Sequence, residues 1–372
     1  MELSFLRPLY ACPGPWASVY LDASQDTADA KPAVELRWRA LYEQLGDQGA
    51  EPETVDALDD VIRRHDPRPG DYGLAAFGTQ GEVVLAEYLS APPRTDLARY
   101  GPLPHVMPLV AQRGEQVAWV RVLASRTGAD LDSVSMGGVP RRAHVRGGES
   151  FPIRKVKPGS WTQARFQREA ETTWQRNAND TARATAELAD IVGAEVIVVA
   201  GDPHARAALA DALPERWRDR VVLTDAGSRA AGADPDRLED VTVQSIAEVA
   251  AEHTRSALDR YGEQEGLGNG LESVVAALQR SQVDTLLIVD DPSSTATLWI
   301  GPDPTDIALD ADGLRALAVP DPVEVRADAA LLRALSATDA AVALVGPDEA
   351  PLQNGIGAVL RYADAATPGR HA

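Results

Sequence analysis

Cysteine is almost absent from this 372-residue chain: Cys12 stands alone, which excludes an intramolecular disulfide framework. The six histidines are scattered, leaving no Cys/His spacing for a structural zinc, and no cofactor is expected. Long apolar runs are missing as well. Met1 to Trp16 lacks a basic region followed by an uninterrupted apolar stretch, and nowhere do about eighteen apolar residues follow one another. The expectation is a soluble protein of a reducing, cytoplasmic compartment, with no membrane partner. Positive charge is scarce: 36 Lys and Arg against 56 Asp and Glu leave a net charge of −20. Such a chain is repelled by polyphosphate except where it concentrates basic residues, so any local excess is informative. There is no P-loop, no nucleophile elbow, no internal repeat and no low-complexity tract.

What is present is a globular composition, 44% hydrophobic and 25% charged, long enough for about two or three domains. Residues 1–104 read as a first α/β domain. They hold a strand at Trp16–Leu21, helices at Ala33–Leu45 and Pro52–Arg64, and a hairpin of Gly73–Phe77 with Glu82–Leu89 through Thr79-Gln80-Gly81. Ala91 to Pro102 reads as the exit linker. Residues 105–236 read as a middle domain with strands at Val106–Val110, Val117–Ala124 and Ala129–Val134. A long helix follows, then a buried parallel strand at Glu195–Ala200, a helix at His204–Leu213 and a strand at Arg220–Leu223. Asp225–Asp236 reads as a boundary loop. Residues 237–372 form a third α/β domain, with helices at Ile246–Tyr261 and Leu271–Leu278 and strands at Thr285–Val289, Ala341–Val345 and Gly355–Tyr362.

Against this acidic background, Arg141 to Arg176 carries nine basic residues and three acidic ones, a local charge of +6. The basic side chains include Arg154, Lys155, Lys157, Arg165 and Arg168. Val156-Lys157-Pro158-Gly159-Ser160-Trp161-Thr162-Gln163 reads as a loop, interrupted by Pro and Gly. Ala170, Trp174, Ala178, Thr181, Ala184, Leu188 and Ile191 then recur at steps of three and four, one face of a helix. A basic loop with an aromatic residue at the head of a long helix is a footprint for structured nucleic acid. The bland reading is a solvated charged face.

Gly159-Ser160-Trp161-Thr162-Gln163-Ala164-Arg165-Phe166-Gln167-Arg168 resembles the tip and helix of the middle domain in archaeo-eukaryotic class I release factors. There a Gly-Gly-Gln tip is followed by a small polar residue and then Arg-Phe. Gly266-Leu267-Gly268-Asn269-Gly270, Val283 to Leu287 and Gly355 to Tyr362 are similar to that family's third domain, which is like the ribosomal protein L7Ae. The resemblance covers about residues 105–372 and is strongest to the bacterial branch, which includes ribosome hibernation factors. It implies a tRNA-shaped protein in the ribosomal A site, touching rRNA of both subunits. The first domain would lie near the decoding centre, the tip near the peptidyl-transferase centre, and the third domain beside elongation factor Tu or another translational GTPase; DNA is not an implied partner.

Two departures separate this chain from releasing enzymes. Aligning Arg165-Phe166 with the family's Arg-Phe puts Trp161 where the glutamine belongs, and an indole has one N–H donor and no acceptor with which to orient water. Gln163 would reach that place only if the loop were re-registered. No Asn-Ile-Lys-Ser stretch is present for stop-codon reading. The expectation is a non-enzymatic hibernation or stress factor whose tip (Arg154, Lys155, Lys157, Gly159, Ser160, Trp161, Thr162, Gln163, Arg165 and Arg168) binds rRNA. A peptidyl-tRNA hydrolase or tRNA nuclease acting in ribosome rescue, and a protein-binding scaffold, are the alternatives. Elsewhere, Gly147-Gly148-Glu149 reads as a turn, Asp202 as a helix N-cap followed by Pro203, Asp290-Asp291 as a cap or turn, and Trp119 and Trp299 as core residues.

Overall fold

The computed structural model describes residues 1–24, 30–67, 70–114, 117–136, 140–146, 161–226, 235–264 and 267–363, with the backbone alone at 30, 161–173 and 235–236. The fold is α/β throughout. It divides into two compact units, Glu115–Glu252 and a unit made of Met1–Gly114 with His253–Ala372.

The discontinuous unit begins with the short helix α1 (Arg7–Ala11) and strand β1 (Trp16–Asp22). Alternation puts Ala17, Val19 and Leu21 on one face of β1 and Trp16, Ser18 and Tyr20 on the other, and all six are buried. Helices α2 (Ala30–Asp47) and α3 (Pro52–Arg64) cover the first face with Trp38, Leu41, Leu45, Leu58 and Ile62. Helix α3 has Pro52 and Glu53 in its first turn and Arg63 and Arg64 in its last, the order that suits the helix dipole. Strands β2 (Gly73–Thr79) and β3 (Glu82–Leu89) are joined through Gln80 and Gly81, both at positive φ (51° and 79°), as tight hairpins favour.

Two expectations fail here. The stretch read as a linker contains strand β4 (Leu97–Gly101), which pairs antiparallel with β1 from Trp16↔Gly101 to Tyr20↔Leu97 and completes the order β3-β2-β1-β4. Its prolines, Pro92, Pro93 and Pro102, all lie outside the paired residues, so the ladder keeps its donors. Val106–Val110, expected as a strand, leads into helix α4 (Met107–Gly114). Val106, Leu109 and Val110 are buried at helical spacing, and Pro108 falls in the first turn, where a missing N–H breaks no helix bond.

The continuous unit is a five-stranded sheet with helices on both faces. Strands β5 (Trp119–Ser125), β6 (Gly128–Val134) and β7 (Pro140–Arg146) form an antiparallel meander. Helix α5 (Trp161–Val192) crosses to β8 (Val196–Gly201), and α6 (Pro203–Ala212) with α7 (Glu215–Arg218) leads to β9 (Val221–Leu223). Strands β5, β8 and β9 are parallel, in the order β7-β6-β5-β8-β9. Val120, Val122, Ile197 and Val199 face Ala182, Ala186 and Ala189 of α5, whose small side chains let the helix lie close to the sheet. Val196, Val198 and Ala200 face the other way, toward Leu238 and its neighbours on α8 (Pro235–Glu263). Covered on both faces, β8 has to be apolar without alternation. Helix α8 starts eleven residues before the expected Ile246, inside the end of the stretch read as a boundary loop, with Pro235 as its first residue. On α5, Ala178, Thr181 and Leu188 are buried as expected, but Ile191 is 65% exposed and Val192 is buried instead. A helix advances 100° per residue, so a stripe read over three heptads drifts off the core by its end.

The chain then returns to the first unit. Helix α9 (Leu271–Gln279) leads into β10 (Val283–Ile288). A small antiparallel sheet follows, made of β11 (Thr297–Ile300), β12 (Ile307–Ala308) and, after α10 (Ala311–Ala316), β13 (Val323–Arg326). Helix α11 (Ala327–Ala337) precedes β14 (Ala341–Leu344) and β15 (Ile356–Leu360), which flank β10 parallel and antiparallel. Val274, Leu278, Leu331 and Leu335 share one core with Leu6, Leu9, Trp16 and Tyr20 from the start of the chain. The amino group of Met1 donates to the Val342 carbonyl at 2.7 Å.

Candidate functional site

The basic window begins on an edge strand. β7 ends the sheet, and Arg141, Arg142, His144 and Arg146 are exposed or nearly so along it. Cross-strand register neutralises the middle of the row. Arg142 lies opposite Asp132 and pairs with it at 3.3 Å, and His144 Nδ1 lies 2.5 Å from Asp130. Asp132 also accepts from Arg121 on β5 at 3.2 Å, and Arg121 reaches Glu239 of α8. Arg141 and Arg146 form no ion pair with a described residue. Charged side chains on an edge also deter pairing with another sheet, which is a sufficient structural reason for them.

Arg154, Lys155, Lys157, Gly159 and Ser160 lie outside the described residues, as does Gly147-Gly148-Glu149. Trp161, Thr162, Gln163, Arg165 and Arg168 fall on the backbone of α5, and their side chains lie outside what is described. The helix begins at Trp161, so the expectation of a loop through Gln163 is corrected. Pro158 and Gly159 are the only breakers in that stretch; both precede Trp161, and nothing after them resists helix formation.

A cavity of about 540 Å³ opens beside the carboxyl end of β5, between the middle of α5 and the start of α6. The Arg126 guanidinium lies over the Trp174 ring at 4.8 Å and pairs with Asp202 at 3.2 Å, while Asn177 Nδ2 donates to the Arg126 carbonyl at 2.9 Å. Trp174 Nε1 is buried without a hydrogen-bond partner among the described residues. Asp202 caps α6 as expected, accepting from the His204 and Ala205 N–H groups with Pro203 following. Burial acts to raise its carboxyl, but those two N–H donors and Arg126 outweigh it and hold the pKa below the usual value. The chain reaches that cap through Gly201 at φ +108°, where a Cβ would sit 2.0 Å from the Ala124 carbonyl oxygen. The arrangement offers a cation-backed aromatic shelf, a stacking surface for a planar group. Trp174 was readable only as part of an apolar stripe, since Arg126 meets it through tertiary packing.

The remaining candidates are structural. Asp291 accepts from the Ser293 N–H at 2.9 Å, a turn, and Asp290 pairs with Arg94 at 3.0 Å. Trp119 and Trp299 are half-buried at the margins of cores. No cluster of three potential metal ligands occurs among the described residues.

Residues 118–267 match the model of bacterial archaeo-eukaryotic release factor family 2. The chain is 32% identical over 377 residues to two uncharacterized proteins of Mycobacterium tuberculosis, Rv2629 of strain H37Rv and MT2704 of strain CDC 1551, with 100% of each chain covered. Among solved structures it is similar to a model of ribosome-bound archaeal Pelota and ABCE1 (16% identity, 97% and 94% of the two chains covered, TM-score 0.41). It is also similar to the archaeal translation termination factor aRF1 (14% identity, 96% of each chain covered, TM-score 0.25).

Proposed function

This chain belongs to the bacterial archaeo-eukaryotic release factor family, and from that premise we propose that it is a ribosome-binding factor that occupies the A site without releasing peptide. In this reading it holds the ribosome inactive during stress or dormancy. The segment 105–236 delivers the basic tip toward rRNA, 1–104 faces the decoding centre, and 237–372 meets a translational GTPase such as elongation factor Tu. The observation that carries the reading is that α5 starts at Trp161, the residue that the resemblance sets against the hydrolytic glutamine of the family. Neighbouring Arg and Lys neutralise phosphates while the indole stacks on an exposed base, an interaction worth about 1–3 kcal/mol. With Gln163 inside the first turn of α5, the re-registration that a hydrolase needs would require unwinding that turn.

Two measurements on purified ribosomes test this. Co-sedimentation is expected to saturate, to weaken steeply with salt, and to fall about fivefold or more in Trp161→Ala. Peptidyl-tRNA carried by the same ribosomes should stay intact. Hydrolysis that disappears in Gln163→Ala would overturn the proposal in favour of a rescue enzyme. Sedimentation unmoved by charge reversal at Arg154, Lys155 and Lys157 would favour a protein scaffold.

A further inference from the structure

A second cavity, of about 530 Å³, lies in the discontinuous unit between β4 with the loop after it and the small sheet of β11 and β13. Three basic side chains line it, Arg99, His105 and Arg326, beside the Gln48 amide, which donates to the Ala98 carbonyl at 3.0 Å. Arg99 is half-buried on β4 and makes no ion pair or hydrogen bond through its side chain with any described residue. Arg326 is held in place by Asp328, with Nη2 to Oδ2 at 2.8 Å and Nε to Oδ1 at 3.1 Å, and Nη1 donates to the Ser294 carbonyl at 3.0 Å. A guanidinium has five N–H donors, so these bonds leave Arg326 with capacity to spare.

His105 is the deepest of the three. Its side chain is 10% exposed, its Nδ1 has no hydrogen-bond partner among the described residues, and Asp328 Oδ2 is 3.9 Å from that nitrogen, too far for a hydrogen bond. Its backbone is fully engaged: the N–H donates to Ser18 Oγ at 3.0 Å and the carbonyl accepts from the Tyr20 hydroxyl at 2.8 Å. The backbone of His105 is thus fixed, and its ring forms a buried wall of the cavity.

Two guanidinium groups, Arg99 and Arg326, line the cavity, and the nearby Asp328 is committed to Arg326. Glu324 also lines the cavity but is exposed, and it is occupied by the Thr297 hydroxyl at 2.7 Å. The geometry points to this cavity as a binding site for a phosphate monoester of a small molecule, its oxyanion held by the forks of Arg99 and Arg326. The volume exceeds what phosphate alone fills and lies within the range of small-molecule pockets, leaving room for the body of the ligand against Tyr100 and Val325.

Isothermal titration of the full-length protein at constant ionic strength tests the site, with sulfate, inorganic phosphate and adenosine monophosphate as probes. One saturable site is expected, with adenosine monophosphate displacing sulfate. Arg99→Gln should weaken all three by about tenfold or more, as loss of a charge-assisted hydrogen bond does. Arg99→Lys, which keeps the charge and loses the fork, should retain part of the affinity. Arg141→Glu, on the separate basic strand, should leave it unchanged. Absence of saturable binding below about 10 mM sulfate, or equal binding in folded Arg99→Gln, would overturn the proposal. So would a 5′-hydroxyl oligoribonucleotide that displaces sulfate as well as adenosine monophosphate does, because phosphate diesters of a polyanion need only a basic surface.

Discussion

Strands β7 and β8 belong to one sheet and were shaped by opposite demands. Val196 to Ala200 of β8 are buried on both faces between α5 and α8, and all five are apolar. β7 ends the same sheet with exposed arginines, two of which have no acid beside them among the described residues. Burial leaves β8 almost no choice of residue. The edge position leaves β7 nearly free, and in a chain of net charge −20 that freedom was used to gather positive charge. The fold is therefore maintained by one strand and the proposed contact with RNA begins on the other, with the middle of the sheet separating the two roles.

The widest test of that contrast is a charge placed in β8. Ile197 is fully buried, with apolar register partners Val120 and Val221 on either side, so Ile197→Asp puts a carboxylate among apolar side chains. The expected loss exceeds about 4 kcal/mol, enough to unfold the continuous unit, and should be read as lost soluble yield and lost cooperativity in urea. A variant that unfolds with wild-type midpoint would show that water reaches β8 after all.

Burial sets the next largest effect, in the other unit. Desolvation pushes the His105 pKa down to about 4 from 6.5; Asp328 opposes this, while Arg99 and Arg326 add to it. Above about pH 6.5 neither folded nor unfolded chain holds the proton, so the neutral ring contributes its full stability. Between 6.5 and 4 the unfolded chain binds the proton and the folded chain does not, so stability is lost as pH falls through that window. The loss is on the order of 3 kcal/mol. The difference in urea midpoint between wild type and His105→Gln, followed from pH 7 to pH 4, should shrink accordingly; a pH-independent difference would mean that the ring is solvated.

Much of this architecture was legible from residues alone because its code is local. Helix α3 announces itself with Pro52 and Glu53 at one end and Arg63 and Arg64 at the other, and β8 with a run of branched residues. β4 and α4 escape such a reading because their code is not local. Leu97 to Gly101 becomes a strand only because β1 offers an open edge, and the apolar residues around Pro108 fit either period until packing chooses one. β11, β12 and β13 are too short to carry a pattern of their own. The charge of the tip window could be read by composition, whereas Arg126 on Trp174, and Arg99 beside Arg326, join residues that only the folded chain brings together.

Between the enclosed strand and the edge lies the cap at the end of β8. Asp202→Ala removes two acceptor interactions from the start of α6 and the ion pair with Arg126. A cost of about 1 kcal/mol is expected, typical of losing an N-cap, because Arg126 is partly exposed and its pair is screened by solvent. Asp202→Asn keeps the cap and removes the charge, so it should recover most of that loss; if it does not, the ion pair rather than the cap holds the helix.

The smallest expected change in stability belongs to β7. Arg141→Glu with Arg146→Glu replaces exposed side chains that have no acidic partner among the described residues, so the unfolding free energy from urea titration should change by no more than about 0.5 kcal/mol. The same double reversal should weaken ribosome co-sedimentation and flatten its salt dependence, because a phosphate that no arginine neutralises keeps its counterions. That pairing of outcomes separates the two uses of an edge arginine. Guarding a sheet edge against pairing needs charge of either sign, so a strand kept basic only for that purpose would tolerate glutamate in both assays. Unchanged sedimentation at every salt concentration would therefore confine the proposed RNA interaction to the residues beyond β7.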